Sequence, residues 1–414
     1  MEAAVDSTGP EGWQKTSIAE FGSQAIFTTF GVLDDDTSEQ RGVVSSTHVR
    51  DGRICSTRID NAGRPDVRPS RATLQEGDLA VVLVRRTGDA ALVTAQHAGW
   101  TATRSVGIIR ADTHIVRWLR VWLQTPTAKT WIDEEVTAHV EPTLSLDSLR
   151  RMPFALPPTE VITKFDRAIS LVEEKIDLNR ETALKTLELA DAIHAEWSSE
   201  GAMWETRQLG ALTRARTGKG SARSLLPRAD SPGIDGITPT DLFDLSVPYL
   251  ESSRLTCPAD ASDVWAPGTL MLATRPDGAH IAMTQRPASP TRGVLAVSPL
   301  DTADGWWLLH ELRSRSSALA GVAQGQNARE ISARAFSRLS VAWPDASTRA
   351  RFHEVAGPLH AMARKLTAES STLYDLKDAL LRDISARASA LLEELPSRDD
   401  PDPALLRAGS ASLV

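Results

Sequence analysis

Arginine is the side chain this sequence gathers where chemistry could happen. Arg50, Arg53, Arg58, Arg64, Arg68 and Arg71 crowd one loop-rich stretch, and Arg214, Arg216, Lys219, Arg223 and Arg228 crowd a second. A guanidinium is planar, permanently charged and forked, so such clusters suit phosphate oxygens and the acceptor edge of guanine. The competing reading is a solvated basic surface. Within the second cluster, Thr217-Gly-Lys-Gly-Ser221 resembles a phosphate loop, but G-x-x-x-x-G-K-[ST] fails, because Thr213 stands where the first glycine belongs and Gly220 follows the lysine. No H-E-x-x-H, G-x-S-x-G or G-x-G-x-x-G occurs, and Pro157-Pro158 lacks the flanking residues of an amino-methyltransferase site. Asp34-Asp35-Asp36 reads as a solvated loop rather than a metal site. Cys55 and Cys257 lie in different halves without a C-x-x-C, so neither a disulfide framework nor a zinc site is built. His97 and His280 fall at similar places in the two halves, neither with a carboxylate at useful spacing. No catalytic residue and no metal ligand is therefore assigned.

The elements that must position these arginines come in two copies. Trp13 falls on Trp204 and Ile18 on Leu209, and the strand Gly77–Val84 on Gly268–Arg275, all at a shift of 191. Val44–Val49 meets Ile237–Leu242 at 193, Thr103-Arg104-Ser-Val106 meets Thr291-Arg292-Gly-Val294 at 188, and Trp118-Leu119 meets Trp307-Leu308 at 189. Ala155–Pro157 pairs with Ala342–Pro344, and Phe165 with Phe352, at 187. A shift that drifts so little along the whole chain means one fold used twice.

Each copy opens with a mixed segment, 1–157 or 201–344, of short apolar strands, turns and one helical stretch (Ile115–Thr125, Trp306–Leu312), which predicts an α+β domain. Each then enters a long helix, 158–200 or 345–392, and 393–414 reads as a disordered tail. In the first helix Ile162, Phe165, Ile169, Val172 and Ile176 follow the 3-4 spacing of a coiled-coil seam. Asn179 interrupts it as a register-fixing polar residue, and the stripe resumes through Ala183, Leu187, Ala190, Ile193 and Trp197. In the second helix Phe352, Val355, Leu359, Met362 and Leu366, then Leu373, Leu376, Leu380 and Ile384, repeat it. The two helices are expected to pair, each a rod of roughly 60 Å, with a bend at Gly357-Pro358.

The 414 residues carry 46 Lys and Arg against 54 Asp and Glu, a net charge of −8 with pI near 5.7. That excludes a uniformly basic nucleic-acid binder. By segment, however, the helical parts and tail hold −5 and −2, while the two mixed segments hold −3 and +2. A polyanion would be met by a local basic face. No signal-peptide h-region or 18-residue apolar run occurs, so a cytoplasmic protein with no membrane partner is expected.

The ordered set of segments resembles the DNA-specificity (S) subunit of type I restriction-modification systems, over about 12–392. The resemblance is carried by Trp13–Ile18 with Trp204–Leu212, the strand openers Gly77-Asp-Leu79 and Pro267-Gly-Thr-Leu270, and the helix Trp118–Leu123. It extends to the exits Leu144–Leu149 with Met152–Pro158, and Ile331–Phe336 with Val341–Pro344. It implies two repeated target-recognition domains, separated and joined by two long antiparallel coiled-coil helices in a pseudo-twofold arrangement. It further implies a non-catalytic subunit whose partners are double-stranded DNA, two methyltransferase (modification) subunits and a restriction/translocase subunit. No cofactor would be bound by this chain; S-adenosylmethionine would sit on the methyltransferase. The DNA-contacting residues would be Arg50, Arg53, Arg58, Arg64, Arg68, Arg104, Arg214, Arg216, Lys219, Arg223 and Arg292. Phe165, Ile169, Ile176, Leu187 and Phe352 would form the helix seam. Two alternatives stay open: a protein-binding scaffold whose arginines are incidental, and a fused restriction or methylation enzyme, which the missing catalytic motifs disfavour.

Overall fold

In the computed structural model of the protein, the described residues are 10, 12–21, 26–28, 42–50, 52–55, 72–137, 141–199, 204–227, 233–243, 245–253, 255–257, 263–325 and 330–392. The tail 393–414, Asp34–Asp36 and Arg58, Arg64, Arg68, Arg71 and Arg228 lie outside them. The chain divides into one unit of Met1–Glu173 with Tyr374–Val414 and a second of Glu174–Leu373.

In the first unit the strand Gln14–Ser17 pairs antiparallel with Pro153–Leu156, so the globular segment begins and ends side by side. Its main sheet runs in the order Ile26–Thr28, Val106–Ile109, Leu79–Val82, Ala90–Leu92, all antiparallel. The central strand is apolar at every position because both of its faces are buried. Leu79 and Val81 enter one core with Trp118, Trp122 and Phe154, while Ala80 and Val82 enter another with Val44, Val49 and Ile108. Val43–Val44 lies parallel to Thr101–Ala102, and the helices Thr113–Trp122, Pro126–Glu135 and Leu146–Arg151 follow. Side-chain oxygens cap each of these helices: Asp112 accepts from His114 N, Thr125 from Ala128 N and Ser145 from Ser148 N.

The second unit repeats that plan. Glu205–Gln208 pairs with Ser340–Trp343, and the central strand Leu270–Arg275 lies between Leu295–Pro299 and Gly278–Thr284. Leu270 and Leu272 face one core, Met271 and Ala273 the other. Ile234–Ile237 runs parallel to Ala288–Pro290, and the helices Gly305–Ser314, Ser316–Gly321 and Ala333–Ser337 follow. Ser332 caps the last of these through Ala335 N, as Ser145 does in the first unit. The duplication read from the sequence is thus a duplication of strand pairing. Both units are α+β.

The long helices span Thr159–Ser199 and Ala346–Leu392 and contribute to both units. In each unit they pack antiparallel. Ile162 and Ile169 share the first unit's core with Leu381, Ile384, Ala388 and Leu392, whereas Ala183 and Leu187 meet Ala363 in the second. Ile169, Ile176, Leu187 and Phe352 are buried and Phe165 is half-buried. Asn179, 1% exposed, donates to Glu369 Oε2 at 3.1 Å and accepts from Lys175 Nζ at 2.8 Å, as a polar seam residue should. One expectation for the second helix needs correction. Val355, Met362 and Leu376 are exposed, and the buried stripe is Phe352, Ala356, His360, Ala363, Lys377, Leu381 and Ile384. Close packing selects small residues and polar ones with partners, whereas a search for large apolar residues selects the neighbouring stripe. Pro358 lies inside the helix, which continues on both sides of it. Among the described residues no helix is long and apolar enough to cross a membrane.

Where each globular part meets its helices, the two units use different polar chemistry. In the first, Arg120 (4% exposed) bonds Glu173 Oε2 at 2.5 Å and Asp166 Oδ1 at 3.0 Å, and Lys377 Nζ lies 2.7 Å from Glu173 Oε1. Burial raises the Glu173 pKa, but the Arg120 and Lys377 charges outweigh it and hold the carboxyl below its usual range. In the second unit a chain of hydrogen bonds links Tyr249 Oη to His360 Nδ1 (2.7 Å), His360 Nε2 to His310 Nε2 (3.0 Å), and His310 Nδ1 to Asp191 Oδ1 (2.5 Å). Arg313 Nη2 closes it on Asp191 Oδ2 at 2.8 Å, and Trp306 stacks on His360 at 3.8 Å. With both imidazoles neutral every bond is satisfied in one direction: Tyr249 donates to His360, His360 to His310, and His310 to Asp191. A proton added to His310 Nε2 would set two N–H groups against each other, and one added to His360 Nδ1 would turn the Tyr249 hydroxyl from donor to acceptor. Burial first, then the neighbouring His310 and Arg313, pushes His360 down to about 3, and burial lowers His310 despite Asp191.

Candidate nucleic-acid interface

The Thr291-Arg292-Gly-Val294 corner of the second unit is fixed by its backbone. Thr291 N and Oγ1 both donate to Ile237 O at 2.9 Å, and Val294 N donates back to Thr291 O at 3.1 Å. Arg292 N donates to Gly220 O at 2.8 Å, which ties the corner to the Thr217–Ser221 turn. Gly218 packs so tightly there that a Cβ would stand 2.3 Å from Thr291 O, so only glycine fits. This turn is no phosphate loop: Gly218 N bonds Val294 O at 2.9 Å, and a three-residue 3-10 turn, Ala222–Ser224, follows instead of a helix. Its effect is to hold Lys219 and Arg223 beside Arg292.

These three line a cleft of about 870 Å³ with Arg275, Phe243, Pro239 and Glu330. Arg275 ends the central strand, and its guanidinium lies 3.9 Å from the Phe243 ring centroid. Several other arginines of the unit have carboxylates: Arg216 meets Asp263 at 3.4 Å, Arg313 meets Asp191 at 2.8 Å, Arg315 meets Glu311 at 2.5 Å and Arg349 meets Asp304 at 2.6 Å. Among the described residues, Lys219, Arg223, Arg275 and Arg292 have no ion-pair partner. Four unpaired cations around one cleft, facing a single carboxylate, attract a polyanion. Arg214 and Arg216 stand elsewhere, on the exposed face of Thr213–Thr217, with Arg214 5.6 Å over Trp265.

The first unit builds the matching corner. Thr103 N donates to Val44 O at 2.9 Å and Val106 N to Thr103 O at 3.0 Å, leaving Arg104 exposed without an ion pair among the described residues. Val44 and Ile237, the acceptors, are the residues that the repeat aligns. Arg50 and Arg53 face each other across a hairpin whose Gly52 adopts φ 79° above the Arg120–Glu173 cluster. Arg86 Nη2 secures this region by donating to Ser46 O at 2.6 Å and Val49 O at 2.8 Å. His97 is buried, with Nδ1 3.1 Å from Thr94 Oγ1. His280, contrary to expectation, does have a nearby carboxylate, Asp277, at 3.7 Å. Sequence reasoning missed Arg275 because it stands alone at the end of an apolar strand, outside any cluster. Among the described residues no group of three potential ligands could hold a metal ion.

Fold and surface together define a duplicated α+β protein with paired long helices and a cationic corner in each copy. No family model and no curated protein matches the chain. Among solved structures it is similar to the S subunit of a type I restriction-modification system from M. genitalium, at 13% identity and TM-score 0.47, covering 92% of this chain and 98% of that one. It is also similar to the HsdS subunit from Thermoanaerobacter tengcongensis, at 17% identity and TM-score 0.36, over 92% and 98%. A third similar chain, from a structure of complex assembly in the type I R-M system, has 18% identity and TM-score 0.41, over 91% and 98%.

Proposed function

We propose that this chain is the DNA-sequence specificity subunit of a type I restriction-modification complex or a related defence complex. The observation that carries this reading is the duplicated corner. The same backbone bonds, from Thr103 to Val44 and from Thr291 to Ile237, present Arg104 and Arg292 at matching places in two copies of one fold. Two like reading heads suit two separated half-sites on one duplex, a bipartite target. Lys219, Arg223 and Arg292 supply phosphate contacts in one half, and Arg50, Arg53 and Arg104 in the other. The chain binds no cofactor and performs no reaction. S-adenosylmethionine belongs to two modification subunits that dock on the helices, and a restriction or translocase subunit completes the complex in the cytoplasm.

The test is duplex selection with the full-length chain across a salt series. One preferred sequence and an affinity that falls steeply with salt are expected. Arg104→Ala and Arg292→Ala should each weaken binding on the order of tenfold. Salt-insensitive binding without sequence preference would leave the protein-binding scaffold as the better account.

A further inference from the structure

On the reading of this chain as a DNA reader, we infer that Arg275 is a specificity-determining residue of the second unit, and that the base it reads is guanine. Three observations converge on it. Its guanidinium is stacked on Phe243 and, among the described residues, makes no hydrogen bond or ion pair, so its fork of donors is unspent. Stacking fixes the plane of the fork and removes water from one face, which lowers the cost of aiming two N–H groups at O6 and N7 of one guanine. Phe243 is itself held, with the His280 ring edge-on at 5.0 Å and His280 3.7 Å from Asp277.

The surroundings separate this arginine from its neighbours in the cleft. Lys219, Arg223 and Arg292 line the cleft from outside any strand, and a cation there follows phosphate without regard to sequence. Arg275 instead ends a strand of the central sheet and lies beside Phe243, Pro239 and Pro276, a rigid apolar wall suited to a base. Among the described residues the first unit shows no counterpart at the aligned place. The repeat aligns Arg275 with Val84, and the arginines that follow are engaged: Arg85 pairs with Glu141 at 2.7 Å, and Arg86 bonds two backbone carbonyls. The effect is therefore confined to one half of the target.

Selection from randomised duplexes, with the full-length wild type, Arg275→Ala and Arg275→Lys, tests this. Wild type should demand guanine at one position of one half-site. Both variants should lose roughly ten- to hundredfold discrimination there, with other positions and the salt dependence unchanged. Replacing that guanine by 7-deazaguanine should weaken wild type roughly tenfold and leave Arg275→Ala indifferent. Because Arg275 is exposed, an unchanged melting temperature serves as the folding control. Uniform weakening of all sequences by Arg275→Ala, with a smaller salt slope and recovery in Arg275→Lys, would make the residue a phosphate contact and overturn the inference. Retained discrimination in both variants would also overturn it. A wild type that selects no sequence defeats the proposed function itself, a different result from either.

Discussion

The two units join the same globular fold to the same pair of helices, yet one junction is built from permanent charges and the other from neutral histidines. By the repeat's own shift of 187, Glu173 of the first unit corresponds to His360 of the second. Glu173 is held below its usual carboxylate range and Arg120 above its own, so this pair stays charged and indifferent to pH near neutrality. The Tyr249–His360–His310–Asp191 chain depends on two imidazoles that must stay unprotonated. One fold thus tolerates two solutions to the same packing problem, each built on buried polar side chains that pair across the junction.

The largest effect should come from opening the charged junction. Arg120→Met removes the cation shared by Glu173 and Asp166 and leaves buried carboxylates short of a partner, which should cost about 3–5 kcal/mol. Denaturant unfolding, with hydrogen exchange assigning the loss to the first unit, measures it. A loss below about 1 kcal/mol would mean that the remaining partners, Lys377 and Arg117, suffice.

Acid should instead break the other junction. The native chain holds His360 and His310 below the ordinary value of 6.5, so the unfolded chain binds more protons. Stability from this source is complete above about 6.5 and is lost as pH falls toward the folded values, at about 1.4 kcal/mol per pH unit for each histidine. Glu173, lowered from 4.5, begins to cost the first unit only below that value. Hydrogen exchange between pH 6.5 and 4.5 should therefore show the second unit loosening while the first holds. His360→Phe keeps a ring against Trp306 but strands Tyr249 and His310; it should cost about 2 kcal/mol at pH 7 and flatten the acid slope. Equal loosening of both units would remove the contrast.

The smallest effect tests the link between hairpin and junction. Gly52 needs a positive φ, and Gly52→Ala should destabilise by about 1 kcal/mol, read as a shift in the unfolding midpoint. A substitution without effect would mean that the hairpin carrying Arg50 and Arg53 is not held by this turn.

Much of this architecture was legible in the sequence, because duplication leaves aligned residues and buried strands leave apolar runs. Trp118 and Trp307, Leu79 and Leu270, Phe165 and Phe352 marked equivalent places before any pairing was known. The histidine chain was not legible, since Asp191, Tyr249, His310 and His360 come from four distant elements and become a network only when folded. The true stripe of the second helix was hidden for a related reason. Ala356 and Ala363 are buried by the closeness of their neighbours, a property of the partner surface rather than of alanine. Arg275 acquires its meaning from Phe243, which lies 32 residues earlier in the chain.

The first unit is interrupted: the contiguous second unit, Glu174–Leu373, is inserted between its two parts. During synthesis, residues 1–173 leave the ribosome before the second unit, but their core includes Leu381, Ile384, Ala388 and Leu392, which emerge after it. The second unit has all its residues available by Leu373 and can close at once. The part made first is finished last, and for about two hundred residues of elongation the apolar face awaiting that final helix must be kept from aggregating.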